Sequence, residues 1–303
     1  MRRLTTTLFN ELKEGKFQSL LEYVKEDDTL DMEFRGNYFT VYYRGGALLI
    51  VEETPDGTYD WKGISEEYLL KGKDKYVPKH SKVEQFDEYI PEAKHVIDRY
   101  ICKGPKNHLG EKEIQQLVVR ENNYSPNSQD TDYFIVDMEY EEAGGTGRFD
   151  LIALRWDSNG AARKKNLVSL TVIEVKQGYN TVRTSSSSPG LRSHQEDFSK
   201  FIEKKRTAGV LKDFCKDMVM IFKQKCELGL ILANEKIEGI NQDFQLNVEE
   251  DVDFVCLLAN YKKASDNLRN ELKEMEPCKF IRSHYSGYGL YADEIITLTS
   301  KDI

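Results

Sequence analysis

The sequence contains no stretch approaching the roughly 18 uncharged apolar residues that a membrane-spanning helix requires, so no span is expected. Cysteine is scarce and scattered. Cys102, Cys215, Cys226, Cys256 and Cys278 are odd in number and form no Cys-x-x-Cys pair. That argues against a disulfide framework and against a thiolate zinc site, and all five are expected as reduced core residues. Basic charge is in deficit, with 43 Lys and Arg against 52 acidic residues and a formal net charge of −9. Whole-surface attraction to nucleic acid is therefore not expected, although a local basic groove remains open. The five histidines (His80, His95, His108, His194, His284) have no metal-ligand spacing. Gly144-Gly145-Thr146-Gly147 lacks the Gly-Lys-Ser/Thr that completes a P-loop, and no Gly-x-Ser-x-Gly elbow is present. Behind Met1-Arg2-Arg3-Leu4 there is no apolar run of signal-peptide length, so the expected location is the cytoplasm.

What is present is enough apolar material for a sizeable core: 39% hydrophobic and 11% aromatic residues in 303. At roughly 150 residues per domain, that length reads as two parts. Residues 1–88 are expected to form a small α+β unit. They carry a helical pattern over 8–24, then three short β-runs joined by turns at Arg35-Gly36-Asn37 and Arg44-Gly45-Gly46. Residues 71–82 (KGKDKYVPKHSK) look like a basic linker, and Arg163-Lys164-Lys165 and Lys204-Lys205-Arg206 are smaller cationic clusters.

Residues 89–303 read differently. Helical spacing over 93–101 and 111–122 precedes three β-runs at 133–140, 148–156 and 167–176, joined by Gly-rich turns. The third run is apolar on both faces, as expected of a strand inside a sheet covered by helices. Ser193-His194-Gln195-Glu196 has capping-box spacing, which places a helix start at Ser193. A further strand is expected at 253–259 and a helix at 264–275, with strands in the last thirty residues.

The residues that point to chemistry are Asp150 on one β-run and Glu174-Val175-Lys176 on the next. Glu174 and Lys176 are two apart, so on a strand they share a face. Three ionisable groups gathered near a covered sheet face are costly unless they bind something, and a divalent cation relieves the repulsion between two carboxylates. The Asp/Glu-x-Lys triplet alone carries little weight, because six more copies begin at Glu11, Glu14, Asp60, Glu92, Glu203 and Glu271. Only the Glu174 copy lies in an apolar β-run with an aspartate on the preceding run.

Gly147-Arg148-Phe149-Asp150-Leu151-Ile152, Ile173-Glu174-Val175-Lys176 and the helix at Ser193 together resemble the PD-(D/E)xK superfamily of restriction-endonuclease-like nucleases. The resemblance covers residues 90–260 and departs at Phe149, where the motif name places proline. It implies an α/β core with a mixed central sheet flanked by helices. It also implies metal-dependent hydrolysis of nucleic acid, with DNA as the expected substrate. Asp150 and Glu174 would hold Mg²⁺ or Mn²⁺ and Lys176 would be the catalytic lysine. Glu113, with Glu111 as the alternative, would add a third metal ligand from the preceding helix. Gln195 and His194 fit a polar position on the following helix, and Asp137 or Glu139 on the first strand can face the site. Lys71, Lys73 and Lys75 in the linker are expected phosphate contacts. The rival expectation is a non-catalytic scaffold or interaction module on the same core.

Overall fold

A computed structural model describes residues 2–69, 82–103, 110–142, 145, 147–165, 167–178, 181–185, 189–232, 247–260, 265–283, 287–299 and 301. Thr5 caps α1 (Thr6–Glu14), its hydroxyl accepting from the Leu8 amide at 3.1 Å. The helical pattern over 8–24 is two helices, not one. The chain leaves helical geometry at Gly15 and restarts as α2 (Gln18–Glu26). The break carries Phe17 into the core against the rings of Phe39, Tyr59 and Trp61.

Four antiparallel strands follow in sequential order: β1 (Leu30–Phe34), β2 (Tyr38–Tyr43), β3 (Gly46–Glu53) and β4 (Tyr59–Lys62). The sequence reading had only three strands here. β4 is short and half exposed, and it is reached through a turn that includes Pro55-Asp56-Gly57, with Gly57 at φ +80. That Pro-Asp-Gly turn was the available signal.

β1 is buried on both faces. Leu30, Met32 and Phe34 join the apolar core, whereas Asp31, Glu33 and Arg35 meet polar or charged partners from the rest of the chain. Lys225 donates to Glu33 at 2.8 Å, Arg35 pairs with Asp137 at 2.5 Å, and Tyr124 donates to Asp31 at 2.5 Å. One apolar cluster runs from Leu4 through to Phe280, and a second, including Ile114, Leu151 and Ile173, lies where the helix Glu111–Asn123 covers the second sheet. The expected boundary at 88/89 cuts through α3 (Phe86–Lys103). That helix packs on β3 and is tied to the first sheet by Tyr89, which donates to Leu48 O at 3.1 Å.

The second sheet has six strands among the described residues: β5 (Tyr133–Glu141), β6 (Arg148–Arg155), β7 (Leu167–Gln177), β8 (Asn247–Ala259), β9 (Cys278–Ser283) and β10 (Ile296–Leu298). Their order is β10-β9-β8-β7-β6-β5. β5, β6 and β7 form an antiparallel meander, while β7, β8 and β9 are parallel and β10 is antiparallel to β9. Parallel neighbours need a crossover. α6 (Leu191–Thr207) and α7 (Leu211–Glu227) provide one, and α8 (Asp266–Leu272) the other. α4 (Glu111–Asn123) packs against β5, β6 and β7, and a short α5 (Gly160–Lys165) stands between β6 and β7. The protein is thus mixed α/β with two sheets. Among the described residues, no helix is long and apolar enough to cross a membrane. Four of the cysteines are buried as expected, but Cys102 is exposed.

Candidate functional site

The site is built where β6 and β7 part. Leu151 and Ile173 form the last register pair at that end, so Asp150 and Glu174 are the next residue on each strand. Asp150 Oδ2 accepts from the Val175 amide at 2.7 Å. Two residues after Glu174, on the same face, Lys176 Nζ donates to Glu174 Oε1 at 2.5 Å. α4 contributes Glu111 from its first turn: Oε2 lies 4.0 Å from Lys176 Nζ, and Oε1 accepts from the Gln177 amide at 3.2 Å. From α6, His194 Nε2 stands 3.0 Å from Glu174 Oε1. β5 supplies Glu139, which lies between the residues paired with Leu151 and Phe149 and so opposite Asp150. Glu139 has φ +58, an uncommon conformation for a non-glycine strand residue, and its carboxylate is 3.5 Å from Lys112 and 3.6 Å from Arg148. These groups line one cavity of about 680 Å³.

α6 is held in place from outside the site. It starts at Leu191 with Gly190 at its N-cap, two residues before the expected capping box, and Ser193 lies inside the helix. The buried carboxylate of Glu271 on α8 accepts from the Arg192 and Thr184 amides, each at 2.9 Å. It thereby serves a free amide of the first turn in place of the serine. A Cβ at Gly190 would come within 2.2 Å of the Thr184 amide nitrogen, so the loop can cross there only over glycine.

Burial sets the electrostatics. It pushes the Asp150 carboxyl up to about 6, with Lys176 and the Val175 amide opposing. Burial and the neighbouring Asp150 push Glu174 well above the ordinary carboxylate range. Burial alone would lower Lys176, but Glu174 and Asp150 beside it hold its ammonium above its ordinary value. For His194, burial and then Lys176 and Arg148 lower the imidazole to about 3. It is therefore neutral at neutral pH, and it stands beside Glu174 as an uncharged neighbour. Glu174 Oε2 is buried without a partner.

Of the sequence-predicted site residues, Asp150, Glu174, Lys176 and His194 come together, and Glu113 does not. Helical rotation turns Glu113 towards the first sheet, where it accepts from Arg44 at 2.7 Å, and Glu111 takes the place expected for it. Gln195 also points elsewhere, donating to the carbonyls of Glu276 and Pro277 at 3.4 Å. Asp137 faces Arg2 and Arg35, leaving Glu139 at the site. Lys71, Lys73 and Lys75 lie outside the described residues.

The cationic clusters divide. Arg163 is buried over Phe134 and Trp156, Lys205 turns to Glu142, and Arg206 pairs with Glu203. Lys204 lines the cavity, together with Lys112, Arg148 and Lys200, which sequence reasoning missed. Helical spacing was a usable signal for one group: 194, 197, 200 and 204 fall on one stripe of α6. Comparison of the chain with protein-family models, curated proteins and solved structures finds no match.

The burial of the Asp150 carboxyl makes a prediction about stability. Asp150 has a folded-state pKa of about 6, above its ordinary value of 3.8. Its contribution is full below pH 3.8 and is lost as pH rises through 6. Asp150→Asn removes that loss, so at pH 8 in chelator the variant is expected to be more stable than wild type by about 1–2 kcal/mol. Urea unfolding at pH 8 and pH 4 checks this, because the advantage should vanish at the lower pH.

Proposed function

We propose that this chain is a metal-dependent phosphodiesterase acting on nucleic acid, with a restriction-endonuclease-like core around Asp150, Glu174 and Lys176. One observation carries the reading. A buried carboxylate with an orphaned oxygen, Glu174, and the half-buried Asp150 that repels it stand beside a buried lysine in a cavity rimmed by Lys112, Arg148, Lys200 and Lys204. Acidic residues at the floor and cations at the rim match a hard divalent cation below and a phosphodiester above it.

The donor set fits such a cation in its chemistry: all-oxygen, anionic and short of one partner. Among the described residues, no three His, Cys, Asp or Glu side chains are gathered as one metal-holding group. Asp150 and Glu174 would hold Mg²⁺ or Mn²⁺, with Glu111 beside Lys176. Bound there, the cation would polarise a phosphodiester oxygen and lower the pKa of a coordinated water. Lys176 places a fixed positive charge where negative charge develops on the phosphate. His194 lies beside Glu174 Oε1 as a neutral imidazole, and the rim cations hold the backbone without reading sequence.

The division between the two glutamates on α4 tests this reading. Glu111→Gln is expected to lower metal-dependent cleavage at least tenfold, because it removes a charged oxygen next to Lys176. Glu113→Gln, facing Arg44, is expected to leave cleavage within about threefold of wild type while lowering the melting temperature. Equal activity losses in the two variants would remove Glu111 from the site.

A further inference from the structure

We propose that the site takes an unpaired strand, whose phosphates on one side of the scissile bond run along α6 over Lys200 and Lys204. The inference rests on the phosphodiesterase reading and adds the form of the substrate to it. The groups that would face the reacting phosphate are recessed: Glu174 is 1% exposed and Lys176 5%. They form the floor of a cavity walled by the N-terminal turn of α4 on one side and by α6 on the other. An intact duplex is stiff over about 50 nm and carries its phosphates on the outside of a rod, so it presents them to the rim and not to the floor. An unpaired strand bends freely and follows a charged groove.

α6 provides the direction. His194, Asp197, Lys200 and Lys204 all line the cavity, and their spacing of three, three and four residues makes them one stripe. From the imidazole beside Glu174 to Lys204 the helix rises about 15 Å, a length that several consecutive phosphates of one strand would cover. Lys200 and Lys204 are exposed on this wall, and Lys112 and Arg148 place further charge on the opposite side. The larger neighbouring cleft, about 880 Å³ between the first sheet and α7, is the poorer path. There Glu139, Glu141, Glu142, Asp213 and Asp217 outnumber Arg2, Arg35 and Lys205.

The test measures binding in chelator, so that it is independent of cleavage. One labelled oligonucleotide is titrated by fluorescence anisotropy as a single strand and as the blunt duplex, using wild type and the Lys200→Glu/Lys204→Glu double variant. The single strand is expected to bind at least tenfold more tightly than the duplex. The double variant should lose at least tenfold for the single strand, and its salt dependence should flatten by about 1.4 in log–log slope, the loss of two phosphate contacts. Both side chains are exposed, so the variant's melting temperature should stay at the wild-type value. Duplex bound as tightly as single strand, an unchanged salt slope, or no binding of either form would each overturn the proposal. Strand binding as described, with no metal-dependent cutting of any substrate, would sink the phosphodiesterase reading alone.

Discussion

Lys176→Ala is expected to lower metal-dependent cleavage by about 10²–10³-fold, the loss that follows removal of one preorganised charge from a water-poor site. The same change is also expected to destabilise the protein. Lys176 is 5% exposed and lies 2.5 Å from the buried Glu174 Oε1 and 4.0 Å from the partly exposed Glu111 Oε2, so its removal leaves the Glu174 carboxylate without its cation. Breaking a buried pair from one side costs about 3–5 kcal/mol, and partial protonation of Glu174 should hold the loss to the lower part of that range. Activity must therefore be compared at a temperature where urea unfolding shows the variant still folded. Lys176→Arg separates the two effects: it keeps the charge but changes its shape, so it should recover most of the stability and little of the rate. Cleavage by folded Lys176→Ala within a few-fold of wild type would remove the lysine from the chemistry.

The second large effect lies far from the site. Lys225 on α7 is fully buried and donates to the fully buried Glu33 of β1 at 2.8 Å, in the ionic layer that joins β1 to the second sheet. Burial pushes the Glu33 carboxyl up to about 8, more than Lys225 and Arg35 pull it down. The folded protein thus binds a proton that the unfolded chain, with an ordinary value of 4.5, has released. The corresponding stability is full below pH 4.5 and is lost as pH rises through about 8. Lys225→Ala removes the partner and leaves a cavity, an expected loss of about 2–5 kcal/mol by urea unfolding at pH 7. Lys225→Met fills the space without the charge. It should lie close to wild type at pH 5, where Glu33 is neutral in the fold, and fall behind as pH approaches 9. A pH-independent difference between Met and wild type would show that Glu33 does not titrate against Lys225.

The meander, the strand inside the sheet and the triad were legible in the sequence for one reason. Apolar β-runs give a period of two, and a charged residue within one is conspicuous: Asp150 among Phe149, Leu151 and Ile152, and Glu174 after Val172 and Ile173. Which acid of α4 faces that triad was not legible. Glu111 and Glu113 share the first turn about 200° apart, and only the position of Arg44, almost seventy residues earlier, decides which one turns inwards. The helix start at Ser193 failed because Glu271, nearly eighty residues away, serves the first-turn amide instead. The ionic layer around Glu33 and Asp137 was hidden for the same reason, since alternate charges on β1 read as a solvated face until Lys225, Tyr124 and Arg2 cover them. Local patterning carried the strands, and long-range pairing carried the errors.

The most direct measurement is a cleavage panel of single-stranded, nicked and linear duplex DNA and of RNA, each with Mg²⁺, Mn²⁺ or chelator, using wild type and Lys176→Ala together. Cutting by wild type that requires the metal, and its loss in the folded variant, is the result predicted here. No cutting of any substrate by folded wild type in either metal, or equal cutting by both proteins, would contradict it.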